Sequence, residues 1–333
     1  MAKKRQSRKK RRESLVSKIL LVTFTVMFVL SLGIYMNERI FKLEFIPTSA
    51  EIIAAIEGNK VVTTADGEIS VHYIDVGQGD CALIVAGDKR VLIDSGEAIY
   101  ASRVINYISR LGFRRIDYVI ATHPHEDHIG GMADILEEFA VDNFIMPEIP
   151  NELLPMSKEF EKLLDVIEKK GILAEYSRIG RKFVLGNGAE LEILAPVHND
   201  YASLNNFSIV CRLVHGNRSF LFTGDVERAA ESDIVNSGEY IRSDVIKIPH
   251  HGGTSSSTPV FIEAVSPEYA VISVGKGNSY GHPKTEVLER LWNIGCEVIT
   301  TMNSGNIVFV SDGDTFKIYT DHGTGDFAME EAS

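Results

Sequence analysis

Two rhythms of apolar residues run along the chain from Ile69. Short runs bounded by Gly, Asp and Asn predict strands, and longer stretches with apolar residues three and four apart predict helices. Ser70 to Asp75, Cys81 to Ala86 and Arg90 to Ile93 are expected strands, followed by a helix over about Ala101 to Leu111. The run Ile116-Asp117-Tyr118-Val119-Ile120 predicts a further strand, and Met132 to Phe139 a helix. Asn151 to Lys170 reads as one amphipathic helix ended by Gly171. Strands are then expected at Phe183 to Leu185, Glu190 to Leu194, Ser208 to Val214, Ser219 to Phe222, Asp244 to Ile248 and Tyr269 to Val274. Helices fall between them at Glu227 to Asn236, Pro259 to Val265 and Lys284 to Ile294, with two or three strands to finish. Two batches of antiparallel strands, each with helices, predict an α/β architecture of two sheets packed face to face with helices outside.

The start of the chain follows another pattern. Ile19 to Tyr35 is apolar and uncharged, about long enough to span a bilayer. Lys3, Lys4, Arg5, Arg8, Lys9, Lys10, Arg11 and Arg12 precede it without an acid among them, which predicts a cytoplasmic N-terminus. The expected organisation is a basic cytoplasmic tail over 1–18, a transmembrane anchor or signal segment over 19–36 and a linker over 37–68. A main domain follows over 69–320, then an acidic tail over 321–333. No small-x-small cleavage site follows the apolar run, so an uncleaved anchor with the domain outside the cell is favoured; a cleaved signal would make the protein secreted.

Composition narrows the function classes. Of 333 residues 44% are hydrophobic, enough for a large core. The net charge is -12 despite the basic tail, so the rest of the chain is more acidic than the total suggests, which argues against broad clamping of nucleic acid but not against a phosphate held by metals. Cys81, Cys211 and Cys296 are far apart in apolar surroundings and predict small buried side chains, with no disulfide framework and no thiolate metal site.

The chemistry concentrates where strands end. Thr122-His123-Pro124-His125-Glu126-Asp127-His128-Ile129-Gly130 follows the strand through Ile120. Imidazoles and carboxylates crowded at a strand end suit a transition metal. His123 and His125, two apart on extended chain, point the same way and grip one ion; Asp127 and His128 lie at the turn into a helix and can face a second. Thr223-Gly224-Asp225 ends another apolar strand; alone Asp225 reads as a helix N-cap, beside the histidine loop as a bridging carboxylate. Pro249-His250-His251-Gly252 ends a third, where one His completes the second metal and its neighbour faces substrate. Ser255, Ser256 and Ser257 offer hydrogen bonds to an anion or cap the next helix. The loop Gly275 to Pro283 offers Asn278, Tyr280 and His282 to a substrate pocket. His72, His198, His215 and His322 lack such context and read as ordinary polar residues.

Taken together these motifs resemble the metallo-β-lactamase superfamily, with His-x-His-x-Asp-His present as His123, His125, Asp127 and His128. Within it the likeness is to the hydrolase domain of ComEC-type DNA-uptake proteins. It is carried by Ile74 to Asp80, Ile93 to Gly96, the metal loop, Phe222 to Asp225, Lys247 to Gly252 and Asn278 to Pro283, and spans about Ile69 to Tyr319. The resemblance implies a four-layer αββα sandwich with a dinuclear site. One ion takes His123, His125 and Asp225; the other takes Asp127, His128, Asp225 and a histidine of the pair, His251 preferred, leaving His250 to the substrate. One departure stands out. Where many members carry a further histidine, this chain reads Leu204-Asn205-Asn206-Phe207-Ser208, with Asn205 and Ser208 on the substrate side. That weakens the first ion's site and brings manganese in beside zinc. A second departure is the single apolar span, where ComEC proteins have a multi-span channel.

The expected function is therefore metal-dependent hydrolysis by two divalent ions, Zn or Mn, with phosphodiester cleavage of DNA first. Asp127 manages the proton, while His250 and His282 steady the substrate or protonate the leaving group. The alternatives are a wall or lipid phosphodiester such as phosphocholine, a lactone or lactam, and a non-catalytic surface binding protein. The expected partners are the phosphodiester substrate and the membrane, through the N-terminal helix; no stable protein partner is inferred.

Overall fold

Strands β1 (Ile69–Tyr73), β2 (Ala82–Ala86) and β3 (Lys89–Ile93) form an antiparallel meander in which β1 and β2 are buried at every position. Burial on both faces explains the continuous apolar sequence of β2, while the polar face of β1 is satisfied by Ser70 and His72 pairing at 2.7 Å. This computed structural model describes residues 64–321, with 62, 323 and 324, and residues 25, 28, 29, 31 and 32. Nearly all of the expected tail, anchor and linker, together with His322 and 325–333, lies outside the described residues. Among the described residues no helix is long and apolar enough to cross a membrane. Residues 62–108 and 112–333 form one compact unit.

After β3 the chain alternates helix and strand. Helix α1 (Ala101–Arg110) leads to β4 (Arg115–Ile120), which lies parallel to β3. Helices α2 (Glu126–Ile129) and α3 (Met132–Glu138) lead to β5 (Ala140–Met146), and α4 (Lys158–Lys170) to β6 (Leu173–Tyr176), both parallel additions. Strands β7 (Lys182–Val184), β8 (Ala189–Ala195), β9 (Val210–His215) and β10 (Arg218–Phe222) start a second, antiparallel sheet. Helices α5 (Arg228–Asn236), α6 (Pro259–Val265) and α7 (Thr285–Asn293) then carry β11 (Val245–Lys247), β12 (Tyr269–Ile272) and β13 (Glu297–Thr300) in parallel beside β10. The chain returns to the first sheet with β14 (Ile307–Ser311), β15 (Phe316–Thr320) and β16 (Gly323–Thr324). The sheet orders are β16-β15-β14-β1-β2-β3-β4-β5-β6 and β13-β12-β11-β10-β9-β8-β7.

The two sheets pack on Val71, Tyr73, Ile84, Ile93 and Ile120 from one and Phe220, Phe222, Val245 and Val271 from the other. On the second sheet's other face, Leu221, Ile246 and Ile272 meet Phe261, Ile262 and Leu291 of the helices. The expected two-sheet α/β sandwich is therefore present, with corrections. Each sheet is mixed, because the helical crossovers force parallel pairing where antiparallel batches were expected. The helix expected from Asn151 is split: Asn151–Leu153 is a single 3-10 turn and α4 starts only at Lys158, where Ser157 caps it by accepting from Phe160 N at 3.2 Å. Pro155 between them has no N–H for a helix interior. Strand β5 was not expected from the sequence; Asp142 and Asn143 interrupt its apolar pattern. The last described strand, Gly323–Thr324, lies past the domain end expected at 320.

Candidate metal centre

The loops that carry the chemistry leave the C-terminal ends of β3, β4, β10, β11 and β12, at one edge of the sandwich where parallel strands open. Asp94 follows β3 with a left-handed backbone, φ 57, a conformation that persists in a non-glycine residue only when its surroundings over-determine it. They do: Asp94 accepts from Thr122 N at 2.8 Å, Thr122 Oγ1 at 2.7 Å and His128 Nδ1 at 2.8 Å. Holding Nδ1 leaves Nε2 of the buried His128 facing inward, 3.2 Å from Asp225 Oδ2.

His251 is built in the same way. Its Nδ1 donates to Ser273 O at 2.8 Å, and its Nε2 lies 3.2 Å from Asp127 Oδ2 and 3.4 Å from Asp225 Oδ2. Donor atoms of Asp127, His128, Asp225 and His251 all lie within 4.8 Å of one another. His123 stands beside them with Nδ1 3.2 Å from Ser208 Oγ and Nε2 2.9 Å from His125 Nδ1. Among the described residues, His128 Nε2 and Asp225 Oδ1 are buried without a hydrogen-bond partner. Buried polar atoms of this kind are costly unless something binds them. Nitrogen and carboxylate donors converging in this way fit a divalent ion, with second contacts that fix each tautomer.

Electrostatics agrees. Burial pushes the Asp225 carboxyl up, but His251, His128 and Lys247 outweigh it and hold it well below the usual carboxylate range. Burial pulls the His251 imidazole down, yet Asp225 and Asp127 lift it to about 10. His123 is pushed well down by burial, with His128 adding to the effect.

A cleft of about 420 Å³ opens over the cluster, lined by His125, Asp127, Asn205, His250, Tyr280 and His282 among others. His250 faces this cleft rather than the donor cluster: its Nδ1 pairs with Ser255 Oγ at 2.9 Å and its ring lies 5.9 Å from that of His282. Tyr280 stacks on His282 at 5.7 Å and 25°. Asn205 is only 7% exposed, and its Oδ1 has no partner.

Two expected substrate contacts are corrected. Ser208 is fully buried; it stands behind His123 and accepts from Asp225 N at 3.1 Å, so it orients ligands instead of touching substrate. Asn278 accepts from His282 N at 3.0 Å and donates to His282 O at 2.7 Å, closing its own turn. Ser255, Ser256 and Ser257 also serve the loop: Glu231 accepts from the backbone N–H of Ser257 and of Thr258. Sequence reasoning gave no role to Gln78 on the cleft wall, nor to Asp80 and Lys247 beneath the ligands. A lysine in the apolar run Val245 to Ile248 was the available signal.

A two-sheet α/β sandwich with histidines and aspartates converging at its open strand ends defines a metal-dependent hydrolase. The chain belongs to the metallo-beta-lactamase superfamily, whose family model matches residues 74–276. It is 31% identical over 283 residues to ComE operon protein 3 of Bacillus subtilis (strain 168), covering 79% of this chain and 36% of that protein. It is 28% identical over 267 residues to Competence protein ComA of Neisseria gonorrhoeae, covering 79% of this chain and 35% of that protein. The expected likeness to ComEC-type competence hydrolase domains is thus present, although the chain spans about a third of the length of these relatives. Among solved structures, a mutant of the CmlA beta-hydroxylase shares the fold at TM-score 0.50 and 13% identity, over 82% of this chain and 61% of that one.

Proposed function

We propose that the protein is a phosphodiesterase that cuts DNA on the outer face of the membrane, using two divalent ions. The observation that carries this reading is the convergence of Asp127, His128, Asp225 and His251 beneath a cleft whose walls hold further imidazoles. One ion would be held by those four residues, the other by His123, His125 and Asp225. When bound, such ions polarise a phosphoryl oxygen and bring the ionisation of water towards neutral pH. The rest falls to the chain's own groups. Asp127 is the least buried carboxylate of the cluster, its side chain 28% exposed, and accepts a proton at the cleft floor. Burial, then the nearby His250, lowers His282 to about 4, so at pH 7 it is neutral and hydrogen-bonds the substrate. Protonation of the leaving oxygen is left to His250, steadied by Ser255.

DNA is supported by the likeness to a protein named for competence and by the resemblance of the motifs to ComEC-type DNA-uptake proteins. The outer face is supported by the basic tail and uncharged run of the sequence. Manganese is favoured over zinc because Asn205 lines the cleft from the segment Leu204 to Ser208, where many members of the family carry one more histidine ligand. A second reading has an observation of its own: among the described residues, no lysine or arginine lines the cleft. That favours a small head-group phosphodiester, such as phosphocholine on a wall polymer or lipid, over a long polyanion. The full chain, loaded in turn with Mn²⁺ and Zn²⁺, would be assayed on single-stranded DNA, bis-p-nitrophenyl phosphate and p-nitrophenyl phosphocholine, with Asp225→Ala as control. Manganese-dependent DNA cutting is expected. Turnover of the small esters alone selects the second reading, and no turnover above the control rejects both.

A further inference from the structure

Lysine is rarely buried without a purpose. Lys247 ends β11, which lies inside the second sheet between β10 and β12. Val245 belongs to the core between the sheets, while Ile246 and Ile248 belong to the opposite face. Alternation therefore aims the Lys247 side chain between the sheets, where the residue is 3% exposed.

Its contacts all lead to the metal ligands. The ammonium pairs with Asp80 Oδ2, donates to Gly224 O at 3.1 Å and stands 3.6 Å from Asp225 Oδ1. The Lys247 carbonyl accepts from Thr223 Oγ1 at 2.7 Å, so main chain and side chain together hold the turn that presents Asp225. Asp80 adds two links: its N donates to Asp127 O at 3.1 Å, and its Oδ1 lies 3.4 Å from His251 Nδ1. The two oxygens of Asp225 thus differ. Oδ2 faces the imidazoles of His128 and His251, and Oδ1 faces the ammonium.

We propose that Lys247, paired with Asp80, is a positioning residue: a resident cation behind the ligand cluster that holds Asp225 in the orientation a divalent ion requires. The inference rests on the metal-centre reading above and not on the identity of the substrate. Removing the ammonium leaves Asp80 a buried carboxylate without its cation and frees the Asp225 carboxylate to turn. Were Lys247 only the counter-ion of Asp80, neutralising both together would leave the metal site intact.

The test is Mn²⁺ binding to the full chain, followed by the electron paramagnetic resonance of free Mn²⁺, in wild type, Lys247→Met and the double variant Asp80→Asn/Lys247→Met. Thermal unfolding of each metal-free chain checks that it folds. Both variants are expected to bind the tighter Mn²⁺ about 10–100-fold more weakly, the usual scale for losing an outer-layer partner of a ligand. Wild-type affinity in the folded double variant overturns the proposal, and this comparison stands even if the single variant does not fold. Turnover is not the readout. A wild type that binds Mn²⁺ but cuts no phosphodiester sinks the proposed function and leaves this inference standing.

Discussion

The imidazole of His128 donates its Nδ1 hydrogen to Asp94 Oδ2 at 2.8 Å, and that single bond decides which nitrogen faces Asp225. Asp94 is buried and touches no part of the cleft, yet it sets the tautomer of a ligand across 34 residues of sequence.

Asp94→Asn should therefore impair metal binding without altering a ligand. The amide keeps the shape but brings an N–H2 against Thr122 and His128. A fall of about 10–100-fold in Mn²⁺ affinity is expected by isothermal titration. Unchanged affinity would show that His128 is held by its surroundings alone.

Bound metal should stabilise the fold. At about a hundred times its dissociation constant, Mn²⁺ is expected to add about 2.7 kcal/mol to unfolding, and Asp225→Ala should lose most of that increment. Urea unfolding with Mn²⁺ and with a chelator measures it.

Acid should weaken the fold in part through His72. Burial holds this imidazole near 3, while the unfolded chain binds the proton at about 6.5. The neutral folded form is favoured above about 6.5, and its advantage is lost as the pH falls towards 3, by roughly 1.4 kcal/mol per unit. His72→Gln, which can still bond Ser70 and Tyr107, should lose less stability between pH 7 and pH 5 than wild type, by about 2 kcal/mol. Equal losses of stability in wild type and variant, measured by urea unfolding at the two pH values, would refute the assignment.

Tyr280 offers an exposed ring backed by His282, suited to stacking on a base. Stacking contributes about 1–3 kcal/mol per base. On the proposed reading, Tyr280→Ala is expected to raise KM for single-stranded DNA about 5–150-fold, with kcat and the turnover of bis-p-nitrophenyl phosphate nearly unchanged. Equal loss on both substrates would place Tyr280 in the chemistry instead.

Gly79 has φ +126, and an added Cβ would lie 2.2 Å from Asp127 O, the acceptor for Asp80 N. Gly79→Ala should cost about 1–3 kcal/mol and weaken metal binding with it, since the two loops move as one. Thermal unfolding with and without Mn²⁺ separates the two effects.

Much of the fold was legible because the core strands announce themselves. Ala82–Ala86 and Phe220–Phe222 are apolar on both faces, and the ends of Arg115–Ile120 and Arg218–Phe222 coincide with the histidine loop and with Asp225. Parallel pairing was not legible, since a strand's sequence records what buries it and not the direction of its neighbour. Strand β5 was missed for a related reason: its polar residues Asp142 and Asn143 are partly exposed near the sheet's edge, where burial no longer enforces a pattern.

The sequence by itself determined the chemical inventory. His123, His125, Asp127, His128, Asp225 and the His250–His251 pair are recognisable because loops at strand ends have no packing reason to collect imidazoles and carboxylates. Only the tertiary structure decided how that inventory is used. Both histidines of the pair have left-handed backbones, φ 50 and φ 53, and it is this turn, with Ser273 behind it, that sends His251 to the cluster and leaves His250 at the cleft. The same holds for Asp80, in the loop between β1 and β2 of one sheet, and Lys247, at the end of β11 in the other; they meet only because the sheets pack face to face. Periodicity along a chain encodes which residues are buried; which buried charges become partners depends on where separate strands end in space.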